Sequence, residues 1–96
     1  MNDKIEVGFH GALNSGGRIL LAQPATIKSG FDAVGGLAKA KATMWPAGII
    51  RVRRKVDGRM KQIRLFHMSA KSARWERFEL QAGDAVIFQW HVVMSG

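Results

Sequence analysis

Apolar and polar residues alternate at the start of the chain, with Ile5, Val7 and Phe9 set against Glu6, Gly8 and His10. A period of two places each set on its own face, so this run predicts a half-buried strand. The turn formers of residues 11–17 predict a loop, and Arg18-Ile19-Leu20-Leu21-Ala22 predicts a second, more completely buried strand. Pro24 predicts an edge or irregular stretch, with Ile27 as its anchor. From Phe31 the period changes. Phe31, Val34 and Leu37 fall at helical spacing and the Ala-rich residues 37–43 suit a helix, with Ser29 and Asp32 supplying a cap. Gly35-Gly36 weakens that helix and Pro46 ends it.

Residues 49–56, then Asp57-Gly58, then residues 59–68 form the sharpest local signal in the chain. Asp-Gly between two β-compatible runs predicts a hairpin with a type I′ turn, because both turn residues need positive φ. Residues 69–78 suit a short capped helix or a loop, and residues 81–84 a turn. The apolar stretch from Ala85 to Met94 predicts a strand that is either central or at a homodimer seam. Together these predict a single domain over residues 1–96, mainly β (β-rich α+β). The expected form is a small open barrel of about six to seven short strands with one or two short helices.

A two-residue loop sets the hairpin register. Val56 faces Arg59, Arg54 faces Lys61, Val52 faces Ile63 and Ile50 faces Leu65 on one side. Lys55/Met60, Arg53/Gln62, Arg51/Arg64 and Ile49/Phe66 lie on the other. The hairpin is therefore expected to start in the core and to project as an arm that is cationic on both faces. Like charges directly opposite are destabilising, which makes sense where an outside anion neutralises them.

Charge sharpens this picture. Fifteen Lys and Arg against seven Asp and Glu give a net charge of +8. Seven of the fifteen lie between Arg51 and Arg64, where Asp57 is the only acid. In a domain this small, such concentration points to a polyanion, and a two-stranded ribbon has the width of the DNA major groove. The sequence thus predicts a non-catalytic nucleic-acid-binding protein that favours duplex DNA. Arg51, Arg53, Arg54, Lys55, Arg59, Lys61 and Arg64 are expected to contact phosphates, with one or two arginines reaching guanine edges. Replacing Arg53 and Arg54 by Ala is expected to weaken binding with little loss of folding. The rival readings are a small inhibitor or adaptor that docks its basic face on an acidic protein, and an RNA-binding small barrel. Arg18 and Lys28 are placed to extend the basic surface.

Other chemistries find little support. Cysteine is absent, and His10, His67 and His91 lack partners at metal-ligand spacing, so neither a metal nor another cofactor is expected. The acids are too scattered for general acid–base or metal-assisted hydrolysis, and no serine has a nucleophile's setting. No apolar run is long enough to span a bilayer, and the start of the chain has no apolar signal region, so a cytoplasmic location is expected. Trp45 and Trp75 are either packed beside Pro46 and Phe78 or platforms for unpaired bases.

The segment from Trp75 through Phe78, Leu80, Gly83 and Asp84 to Phe88 resembles the closing stretch of B3-type DNA-binding pseudobarrels. There a Trp-containing helical turn leads through a Leu to Gly-Asp and a hydrophobic strand. The resemblance implies an open seven-stranded barrel that grips duplex DNA in the major groove with two arms. These six matching positions are framework residues, so the resemblance assigns no base-reading residue. Read by itself, Gly83-Asp84 is a tight turn, with Gly83 at positive φ and Asp84 bonding the local backbone.

Overall fold

A computed structural model describes residues 3–13, 15–37, 48–68 and 74–90, with nothing stated of the Trp90 side chain. Strands β1 (Lys4–Gly11), β2 (Gly17–Ala22), β3 (Gly48–Val56), β4 (Arg59–His67) and β5 (Ala85–Trp90) form one sheet in the order β2-β1-β5-β3-β4. Neighbours are antiparallel except β1 and β5, which run parallel. The fold is mainly β, as the alternation predicts. Among the described residues it has five strands rather than six or seven, and the sheet runs from β2 to β4 without closing, so they do not form the expected small open barrel. The stretch after Pro24, expected to be an edge or irregular, supplies a helix from Ile27, the expected anchor.

That helix, α1 (Ile27–Ala33), begins earlier than Phe31. Thr26 caps it: its hydroxyl accepts from the Ser29 amide at 3.1 Å, and the Ser29 hydroxyl accepts from the Thr26 amide at 2.9 Å. It ends at Val34, where Gly35 and Gly36 at φ 80° and 75° turn the chain away, so residues 34–37 are not helical. The expected helical residues 38–43 lie outside the described residues. Gly30 faces the Phe9 ring so closely that a Cβ would fall within it, so helix and sheet approach nearer than any side chain allows.

One face of the sheet holds the core. Ile5, Val7, Phe9, Leu21, Ile50, Val52, Val86 and Phe88 meet Ile27 and Val34 from the helix side. Trp75, in the 3-10 turn Arg74–Arg77, packs edge-on against Phe31 and Phe88, at centroid distances of 5.6 and 6.3 Å. It is buried core, not a stacking platform; Trp45 lies outside the described residues. Strand β5 is central, between β1 and β3, as its apolar run predicts.

Candidate nucleic-acid interface

Asp57 and Gly58, at φ 51° and 80°, form the predicted positive-φ turn. From it, Val56/Arg59, Lys55/Met60, Arg54/Lys61 and Arg53/Gln62 pair in the expected register. A β-bulge then intervenes, and Val52 faces Arg64, Arg51 faces Leu65, Ile50 faces Phe66 and Ile49 faces His67. The extra residue is Ile63. A strict two-residue period would send Ile63 and Phe66 to opposite faces; the bulge lets both pack on the core cluster. It also separates Arg51 from Arg64, so that expected like-charge pair does not form.

Strand β5 pairs with β3 only as far as Arg53, so Arg54–Val56 and Arg59–Lys61 project beyond it as a two-stranded ribbon. On this ribbon and at its base, Arg53, Lys55, Arg59 and Lys61 are exposed, with no ion pair among the described residues. The other three predicted cations are engaged within the protein, each differently. Arg64 lies over the rings of Phe66 and Phe78, at 5.3 and 5.8 Å from their centroids. Arg51 donates from Nε to Gln89 Oε1 and from Nη1 to Gln62 Oε1, both at 2.6 Å. These amides are neutral, so the charge of Arg51 persists.

Arg54 corrects the sequence reading. Its Nε and Nη2 donate to the two oxygens of Asp84 at 2.9 and 2.8 Å, and Asp84 is 1% exposed. This fork-on-carboxylate pair raises the Arg54 pKa, chiefly through the hydrogen bond to Asp84. Asp84 also accepts from the Gln81 amide at 2.8 Å, and Gly83 sits at φ 85°, the tight turn read from Gly-Asp. Arg54 therefore anchors the base of the ribbon to the turn before β5, and its charge is not available to a partner as those of its neighbours are. Neutralising Arg54 also relieves its repulsion with Lys61 across the ladder.

Among the described residues, no element covers the sheet face opposite the helix around the ribbon. Arg18, Gly8, Ala85, Arg53 and Gln62 stand opposite one another in turn across all five strands. Gly8 and Ala85 lie between the two arginines, and the His10 side chain covers Gly8, with its Nε2 only 2.6 Å from where a Cβ would stand. Arg18 makes one exposed ion pair with Glu6 at 3.4 Å, an interaction of little energetic weight. Lys28 does not extend this surface: it lies on α1 and pairs with Asp32 at 2.7 Å, which raises its pKa. Met60 of the ribbon helps to enclose a cleft of about 330 Å³ with Gly8, His10 and Arg18. The sequence reading missed Gln62 and Gln89 as partners of Arg51, since neither has a signal beyond its place on a strand. The chain matches no protein-family model, and no curated protein shows significant similarity to it.

Proposed function

We propose that the protein binds nucleic acid, duplex DNA in the first instance, through the β3–β4 ribbon and without catalysis. The observation that carries this reading is the ribbon itself. Lys55, Arg59 and Lys61 extend past the end of β5 and Arg53 stands at its last pair, all four exposed and unpaired among the described residues. Asp57 at the tip is the only acid between Arg51 and Arg64. A structural strand pair of this composition would more cheaply carry glutamates opposite its arginines, whereas phosphates bring that counter-charge from outside.

Four phosphate contacts give a slope of log K against log salt of about −3.6, a loss of about two decades of affinity between 50 and 200 mM salt. Fluorescence anisotropy with a labelled random duplex measures this directly. Alanine at Arg53, Lys55, Arg59 and Lys61 together is expected to abolish the slope and most of the affinity. A wild-type protein that does not bind duplex, or a fourfold variant that binds as before, refutes the assignment. Tight binding to an acidic protein with none to duplex would favour the inhibitor or adaptor reading.

A further inference from the structure

We infer that the ribbon meets base edges with its open face, and that Arg51 reads guanine there; this rests on the nucleic-acid reading above. The two faces of the hairpin are not equivalent. On the core side Arg54 is bound to Asp84 and Arg64 lies over Phe66 and Phe78, while Lys61 and Arg59, on the same face nearer the tip, are exposed. On the open side Arg51, Arg53, Lys55 and Gln62 adjoin Ala85 and, beyond it, Gly8 with the His10 side chain over it. The cleft beside Met60, whose lining acids Glu6 and Asp84 pair with Arg18 and Arg54, makes this side concave. A polyanion that follows Arg53 and Lys55 is led onto this surface.

Arg51 differs from the other cations on that side. Glutamines from the strands on either side, β4 and β5, hold its Nη1 and Nε at 2.6 Å. Two of its five N–H donors are used and the others remain, on a guanidinium that still carries its full charge. Its rotamer is set before any ligand arrives, which removes much of the ordering penalty that a free arginine meets on binding. A planar fork in a fixed pose matches the O6 and N7 acceptors that guanine presents in the major groove. Arg53 and Lys55 have no such restraint among the described residues and suit phosphates, whose position varies little with sequence.

Arg51→Lys separates reading from charge, because it keeps the cation and removes the fork. Alternating G·C and A·T duplexes of equal length compete against a labelled random duplex for the wild-type protein and the variant. The wild type is expected to prefer G·C by about tenfold, and Arg51→Lys to lose most of that preference while keeping the wild-type salt slope. Gln89→Leu leaves Arg51 in place but loosely held, and is expected to lose part of the preference. Circular dichroism melts show that each variant is folded. Equal wild-type affinity for the two duplexes, or a preference for A·T, overturns the inference even if every variant fails to fold. So does a preference that survives Arg51→Lys. Failure of the wild type to bind any duplex overturns the function itself, a distinguishable result.

Discussion

Arg54→Ala is expected to damage the fold more than any other truncation on the ribbon. The Asp84 carboxylate is 1% exposed and has three hydrogen bonds: two from Arg54 at 2.9 and 2.8 Å, and one from the Gln81 amide at 2.8 Å. Removing Arg54 leaves a buried anion with a single backbone donor. Breaking one side of such a pair costs about 3–5 kcal/mol, against a total stability of about 5–15 kcal/mol for a domain of this size. Urea denaturation followed by circular dichroism gives the loss as a lowered midpoint at constant slope. Arg53→Ala, one residue away, is exposed and unpaired among the described residues, and should shift stability by no more than about 0.5 kcal/mol. Adding Asp84→Asn to Arg54→Ala removes the stranded charge and should recover a substantial part of the loss. If Arg54→Ala alone costs less than about 1 kcal/mol, the carboxylate is not desolvated as described, and the anchoring role fails.

Two further substitutions test the ribbon tip and the helix–sheet contact. Asp57→Asn removes the one acid of the ribbon but keeps a residue that tolerates the left-handed φ of 51°; duplex affinity in the anisotropy assay should rise severalfold with stability nearly unchanged. Gly30→Ala places a methyl group inside the Phe9 ring, and should lower stability by about 1–3 kcal/mol despite the better helix propensity of Ala, read from the same urea titration.

Much of the architecture is legible because it is local. The alternation Ile5-Val7-Phe9, the Asp57-Gly58 turn and the apolar run after Ala85 each state their element within a few residues. The distal hairpin register follows from the turn alone. The proximal half does not, because the bulge at Ile63 is set by a core that needs both Ile63 and Phe66 on one side. The start of α1 is less legible because Ser29 reads equally as a cap, whereas in the fold it is the third residue of a helix capped by Thr26. For the candidate site, the cluster of cations is evident from composition, but the partition among them is not. Asp84 lies 30 residues from Arg54, and Gln89 lies 38 from Arg51. No periodicity connects such distant positions; only the sheet order brings β5 against β3.

That sheet order has a consequence for how the protein is made. Among the described residues, the first hairpin, β1–β2, and the second, β3–β4, share no ladder; β5 joins them in the sheet. During synthesis both hairpins leave the ribosome before their common neighbour does. Until residues 85–90 emerge, Phe9 and Ile50 lack the strand that unites them, and the nascent chain is two unconnected halves. A chain truncated before Ala85 would therefore be open and protease-sensitive, and one that includes residues 85–90 closed.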